Sequence, residues 1–527
     1  MGVISSEKSG LSFVDALFLS LSILLMFSSG PAFQSVNCHA FVKLEPFLMS
    51  YCILRICFSV SYAWTTRLLI IALAVFCTYE LLLGYTQLFG NWGRIKGQES
   101  VVASFSGSGP FGCFLSICSS LFVAVYSKDN KPYVRIPSLV LVILCLILMV
   151  CTLSRAAMIS FAVSMLFLAM KREHAASMIR KCRIYLLLIA ILMGAGAYMI
   201  KKPSADGRIL MARVGLRIMK DNGLKGVGLG KYSGEYGKAQ ADFFSHYGGE
   251  NLRMVADSPA FGFNEYLRIG IEAGALSMLL FTGMVIMGTL SAYRKNSIWC
   301  YPLVSISLFA CFSYPFEVGA LTLLMMVFLA SASCGSGRHV TGYVFHSLLF
   351  IAFGYVYYFR YSSVNTGFSG SGLSLIERFC GNRHKQYYVH DYSVLQDGLY
   401  DEKLLFLIGQ SLNRSAEYEK SDSVLSLGTE ISSDPMFWNV MGNNSLAQGR
   451  YRQAESRYRH AFMMVPNRLY PLYLLARLYH EEGDTARFLE MADRVETFIP
   501  KVESVNTERL RSEIRELRRE FYGQTNR

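Results

Sequence analysis

Charge is scarce in this chain. Asp, Glu, Lys and Arg make up 17% of its 527 residues, where a soluble domain usually carries about 25%. The shortfall lies in the first two thirds, where long apolar runs alternate with short polar breaks. Metal-site spacing is missing as well: no C-x-x-C pair and no Cys/His cluster has zinc spacing. Most cysteines, such as Cys52, Cys57, Cys77, Cys145 and Cys151, stand inside apolar runs, where they act as small hydrophobes. Cys380 is alone in the last third, which excludes a disulfide within that part. No nucleic-acid motif accompanies the net charge of +13. The excess collects in short loops, as the positive-inside bias of membrane proteins would have it. No small-residue cleavage site follows the first apolar run, Leu11 to Phe27, which therefore reads as a membrane helix and not a leader. The opening Met1-Gly2 fits a loose myristoylation pattern, read as chance ahead of a membrane domain.

What is present is hydrophobicity, 52% of the chain. A span needs about 20 mainly apolar residues. Eleven segments qualify, starting near Leu11, Glu45, Arg67, Pro110, Ile136, Arg155, Arg183, Phe263, Ile298, Glu317 and Thr341. The expected fold class is all-α: a polytopic helical membrane domain followed by a soluble α-helical repeat domain. Helices 1–7 fall in 1–199, a large loop in 200–262, helices 8–11 in 263–358, a linker in 359–400 and the tail in 401–527. Three short basic loops, Ser127–Arg135, Lys171–Arg183 and Ala292–Ser297, fall on one side of this count. That side is taken as cytoplasmic, with the N-terminus. Ser154-Arg155, the 200–262 loop and the tail then fall outside, on the periplasmic side of a bacterial inner membrane.

The 200–262 loop is strongly basic. Lys201 to Lys238 holds nine Lys/Arg against three Asp/Glu, and the positive-inside rule does not explain cations on the outer side. Arg213, Arg217 and Lys220 share one helix face, and Arg208 opens the first turn. Guanidinium groups pair well with phosphate oxygens, so a diphosphate site is one reading. A helix lying on anionic headgroups is the other. The Gly226–Gly230 run, GVGLG, is no nucleotide loop. Lys231 stands where the Rossmann pattern needs a further glycine, and Tyr232 where Walker A needs Ser or Thr. A turn with free backbone N–H groups remains. Arg155, Asn264, Glu265, Arg268 and Glu317 all stand at outer ends of spans. Each alone would be an interfacial residue reaching up to water. Together they suggest a polar ring at one depth.

The stretch Asp434 to Asn467 carries Trp438, Gly442, Gly449, Tyr451, Ala454, Tyr458, Ala461 and Pro466. It resembles a tetratricopeptide repeat, whose period is about 34 residues. That period maps Gly449 onto Gly483 and Pro466 onto Pro500. A weaker copy precedes it around Leu404 to Leu427, and a terminal helix is expected near Thr507 to Phe521. Stacked hairpins of this kind leave a concave face for a partner.

Four stretches in order carry a wider resemblance over roughly residues 90 to 335. They are SFSGSGPFGCFL (104–115), LSRAAM (153–158), GRILMARVGLRIMKDNGLKGVGLGKY (207–232) and FNEYLRIGIEAGALS (263–277). Together they resemble the O-antigen ligase and O-antigen polymerase superfamily of bacterial membrane glycosyltransferases. The resemblance implies an enzyme that moves a glycan from undecaprenyl diphosphate to an acceptor hydroxyl on lipid, glycan or protein. It needs no cofactor and no metal. It gives Arg155 and Arg208 to the diphosphate, joined by Arg213 and Arg217 from the face described above. Fixed guanidinium groups stabilise the charge that grows on the departing oxygens. The sequence departs from the family at Phe263, where a His before Asn264 is usual. Glu265 is then the expected acid–base group, with His246 and Asp257 as alternatives and Asn264 beside it. Ligase, polymerase and protein transferase stay open. So does a non-catalytic scaffold that works through its tail. A transporter would need polar residues through mid-membrane, and the sequence shows few.

Overall fold

The computed structural model describes residues 11–28, 36–90, 100–171, 177, 202–247, 249–334, 340–367 and 401–525. The described residues are helical and contain no strand. The expected seventh span, most of the Lys171–Arg183 loop and most of the 359–400 linker lie outside them. The chain divides into two compact units. One comprises Met1–Phe27, Phe41–Lys201 and Gly262–Phe359; the other comprises Ser28–Ala40, Lys202–Phe261 and Arg360–Arg527.

The first unit holds α1 (Phe13–Ser28), most of α2 (Val36–Val60), α3 (Tyr62–Phe89), α4 (Ser108–Lys128), α5 (Pro132–Cys151) and α6 (Arg155–Ala169). After the large loop come α10 (Glu265–Ala273), α11 (Ala275–Arg294), α12 (Cys300–Ala310), α13 (Gly319–Ser333) and most of α14 (Val340–Gly367). Among the described residues, five helices are long and apolar enough to cross a membrane: Tyr62–Phe89, Ser108–Lys128, Pro132–Cys151, Ala275–Arg294 and Thr341–Arg360. Phe13–Ser28, Arg155–Ala169, Cys300–Ala310 and Gly319–Ser333 are apolar but shorter. The expected eighth span is two helices, because Gly274 turns the chain with φ +89° between α10 and α11. At 1.5 Å per residue, α12 reaches only about half of a 30 Å hydrocarbon layer.

Helix α4 is the core of this unit: 83% of its apolar window is buried, against 28% for α3 and α5 and 17% for α14. The outer helices turn large apolar side chains outward, among them Ile71, Val75 and Leu82 of α3. In water that stripe would be an aggregation surface; against lipid tails it costs nothing. The basic loops converge on one end. Lys128 donates to the Asn296 carbonyl, Lys171 lies 4.0 Å over the Tyr293 ring, and Lys295 reaches the Cys334 carbonyl at 2.8 Å. The chain reverses between α5 and α6 at the opposite end, where α10 also begins.

One buried carboxylate in this unit gathers a large set of partners. Asp15 accepts from Arg55 Nε and Nη2, both at 2.8 Å, from the Tyr51 hydroxyl at 2.7 Å, and from Ser12 N at 2.7 Å. His346 Nε2 lies 3.1 Å from the same carboxylate. Ser12 returns a capping bond to the Asp15 N–H, a reciprocal pair that starts α1. Asp15 and Arg55 tie α1, α2 and α14 together, a role that no motif in the sequence marks.

The second unit contains α7 (Lys202–Asn222), α8 (Tyr232–His246) and α9 (Glu250–Val255). It also contains the tail helices α15 (Glu402–Arg414), α16 (Tyr418–Ile431), α17 (Met436–Ala447), α18 (Tyr451–Met464), α19 (Tyr470–Glu482), α20 (Thr485–Thr497) and α21 (Val505–Thr525). Each tail helix packs on the next, so short turns make hairpins in series. Gly449 and Gly483 follow α17 and α19 with φ +70° and +79°, left-handed stops at matching places. Leu405, Leu425 and Phe437 fill the first part of the core, and Tyr458, Tyr479, Phe488 and Ile514 the second.

The 200–262 loop and the 401–527 tail pack as one body. Helix α8 lies on α16 and α18. Gly234 permits this: a Cβ there would stand 2.3 Å from the Glu430 carbonyl oxygen. Asn467 Nδ2 donates to the carbonyls of Ala256 at 2.8 Å and Arg253 at 2.9 Å. Gln240 Nε2 donates to Asp257 O at 2.9 Å, and Ser233 donates to Pro259 O at 3.0 Å. Lys231 pairs with Glu430 at 2.8 Å.

Candidate functional site

Four separated stretches of the first unit meet at the end opposite the basic loops. The first is 102–109. Helix α3 is apolar, yet it buries Glu80 and Gln87, two turns apart on one face. Both hold the loop that precedes α4. Ser104 Oγ donates to Glu80 Oε1 at 2.6 Å. Gln87 Oε1 accepts from the Ala103 N–H at 2.8 Å, and its Nε2 donates to Ala103 O at 3.0 Å. Ala103 takes φ +49°, a left-handed conformation that a non-glycine residue adopts at a cost on the order of 1 kcal/mol. The two clamps fix it there.

The second stretch is the corner between α5 and α6. Thr152 Oγ1 donates to Met149 O at 2.7 Å, and Leu153 takes φ +54°. The tight corner makes Arg155 the first residue of α6. Arg155 is half-buried there, at the positive end of the α6 dipole. Gly112 of α4 meets this corner: a Cβ there would stand 2.9 Å from Ser154 Cβ.

The third and fourth stretches are 263–268 and 313–317. Asn264 caps α10, its Oδ1 accepting from the Leu267 N–H at 3.0 Å. Glu265 is fully buried. Its Oε2 accepts from Arg268 Nε at 2.7 Å and its Oε1 from the Phe316 N–H at 2.9 Å. Arg268 also pairs with Glu317. Phe263 packs edge-to-face on Tyr314, ring centroids 5.3 Å apart. Glycines of the first stretch close the circle: a Cβ at Gly109 would lie 3.8 Å from Ser313 Oγ, and one at Gly107 3.9 Å from the Tyr314 hydroxyl.

The structure thus brings Arg155, Asn264 and Glu265 to one end of one unit, and it gives the last two structural work. Glu265 uses both oxygens to hold the 313–317 turn on α10. Asn264 spends its oxygen on the cap. Arg208, Arg213 and Arg217 belong to the second unit, on α7. Arg217 pairs with Asp242 at 2.6 Å and lies 5.6 Å over the Tyr247 ring. Arg208 and Arg213 are exposed. The alternative bases are in the second unit too. His246 is exposed beside Asp242. Asp257 pairs with Lys501 at 3.0 Å. Burial disfavours its ionised form, but Lys501, the Ser258 N–H and Arg468 outweigh that and hold the carboxyl below its ordinary range. A carboxylate held so low is a weak base.

The GVGLG run is a packed turn. Gly226, Gly228 and Gly230 take φ +70°, +105° and +75°, and a Cβ at Gly228 would stand 2.6 Å from the Asn37 side chain. Glu80, Gln87 and Tyr314 join the site without belonging to any motif of the sequence. Glu80 carried a signal, since a lone carboxylate in an apolar run is expensive unless it has a task. No family model matches the chain, and no curated protein matches it.

Proposed function

We propose that this protein is an inner-membrane glycosyltransferase that moves a glycan from undecaprenyl diphosphate to an acceptor hydroxyl at the periplasmic face. One observation carries the reading: four stretches, three of them among those that resemble O-antigen ligases and polymerases or their flanks, converge on one end of an apolar bundle, the end at which Arg155 starts α6. The acceptor oxygen attacks the anomeric carbon, and the bond to the diphosphate breaks with its electron pair on the departing oxygen. Arg155, reinforced by the α6 dipole, stabilises that charge, and the resemblance gives Arg208 the same work. The Asn264 amide NH2 orients the acceptor. Glu265 takes the acceptor proton only after giving up one of its two partners. The tail hairpins, with matching glycine stops at Gly449 and Gly483, support a soluble tetratricopeptide-type domain that holds a protein partner.

Arg208→Ala tests the reading. Transfer should be abolished with protein level unchanged, measured as accumulated undecaprenyl-linked glycan. Long accumulated chains indicate a ligase or protein transferase, and single repeat units a polymerase. Full activity in that variant removes the diphosphate assignment. A second reading, a non-catalytic envelope scaffold, draws on Phe263 in place of His and on the occupied oxygens of Glu265. An unchanged glycan pool in a strain lacking the protein would favour it.

A further inference from the structure

Helix α7 is apolar on two sides. Its inner face buries Leu210, Val214 and Ile218, at i, i+4 and i+8, and packs on α8 and α9. Its outer face places Ile209, Arg213, Leu216 and Lys220 on one stripe, at i, i+4, i+7 and i+11. Ile209 is 43% exposed, Leu216 52%, and Leu224, just beyond the helix, 72%. A protein core would not interleave these bulky aliphatics with cations, so the stripe is a mixed surface, aliphatic and basic at once. Alternating aliphatic and cationic groups fit a headgroup layer. The aliphatics reach the acyl boundary, and the flexible Arg and Lys side chains sit among phosphates. The position along the chain agrees. The apolar run Ile184–Ile200 ends at Lys201-Lys202, where α7 begins, so the helix starts where the sequence leaves its seventh apolar segment. Around α7 the cations outnumber the carboxylates three to one between Lys201 and Lys238, which selects an anionic surface over a neutral one.

We infer that the outer stripe of α7 docks on the anionic headgroup surface of the membrane, with Ile209, Leu216 and Leu224 inserted and Arg213 and Lys220 on lipid phosphates. The inference stands whether or not the protein transfers glycans. It gives the basic loop a task of its own: it moors the second unit, tail included, to the bilayer.

The test uses the full chain in lipid nanodiscs, of phosphatidylcholine alone or with phosphatidylglycerol. Bimane is attached at Leu216→Cys, and at Ile209→Cys as a second probe. The unsubstituted chain, labelled in parallel, supplies the background from native thiols. Nitroxide lipids labelled near the headgroup should quench both probes in discs with phosphatidylglycerol, and much less in phosphatidylcholine alone. Each cation near an anionic leaflet contributes about a fivefold preference, so Arg213→Gln with Lys220→Gln should remove most of that lipid dependence. Equal quenching in both lipids overturns the anionic surface. No quenching in either overturns the docking and leaves the stripe to water or a protein partner. In the chain with Arg213 and Lys220 intact, glycan transfer without quenching would sink this inference and leave the proposed function standing.

Discussion

The two units hide polar groups in different ways. In the membrane unit, two buried carboxylates stand beside arginines: Asp15 has Arg55, Tyr51, Ser12 and His346 around it, and Glu265 has Arg268 and the backbone N–H of Phe316. In the second unit, the buried Asn467 amide holds the backbone carbonyls of the 253–256 turn, and the nearby pairs of Asp257 with Lys501 and Arg468 are exposed. A half-buried imidazole there lacks a hydrogen bond at one nitrogen. His460 Nε2 is enclosed without an acceptor or donor, against Trp438 with ring centroids 4.2 Å apart. The contrast follows from the solvent. An unpaired charge in a lipid-embedded bundle has no water within reach, so a buried carboxylate there needs a cation or N–H beside it. A neutral orphan such as the His460 nitrogen strands no charge, so it costs less than an unpaired carboxylate would.

Three perturbations would break or sharpen this contrast. The largest is expected at Asp15→Ala, which strands the buried Arg55 charge. Removing one partner of such a pair costs about 3–5 kcal/mol. Thermal unfolding of the detergent-solubilised protein should show it as a large fall in midpoint, and a shift as small as that of a surface substitution would mean that Arg55 finds water.

Gly234→Ala comes next, in the second unit. Its Cβ meets the Glu430 carbonyl, a backbone atom that cannot swing aside. Overpacking of that kind costs about 1–3 kcal/mol. Hydrogen exchange should rise in α8 and α16 together; a rise in α8 alone would show that the loop and tail are not one cooperative body.

The smallest effect is acid sensitivity at His460. Burial, with Lys238 nearby, pushes its imidazole down to about 4, against about 6.5 in an unfolded chain. The folded state therefore resists protonation. Its contribution is complete above pH 6.5, is lost progressively as pH falls towards 4, and levels off below that. By pH 5 the loss should reach about 2 kcal/mol. His460→Phe should flatten this part of the stability–pH curve, and an unchanged curve would place the acid response elsewhere.

Much of the fold is legible in the sequence. Hydropathy alone places α3, α4, α5, α11 and α14, because a helix in lipid must be apolar over its length. The repeat spacing anticipates the hairpin stops at Gly449 and Gly483, since each needs a left-handed residue. The terminal helix falls where expected, inside α21. The α10–α11 break is less visible: Gly274 reads as an ordinary small residue in an apolar run until its φ is known. Of the candidate site, the sequence supplies Arg155, Asn264 and Glu265, because polar residues at span ends stand out against apolar neighbours. It does not supply Glu80 and Gln87, whose task depends on a loop 15 or more residues further along the chain.

By itself, the sequence determined that this chain is helical, that its first two thirds belong largely with lipid, and where its polar breaks fall. Those are properties of local composition and period. Only the tertiary structure decided that Glu265 is locked between Arg268 and the 313–317 turn, that Asp15 and Arg55 close one end of the bundle, and that the basic loop and the tail fold as one body. Each of these joins residues far apart in the chain, and such contacts depend on packing geometry, which no local pattern encodes.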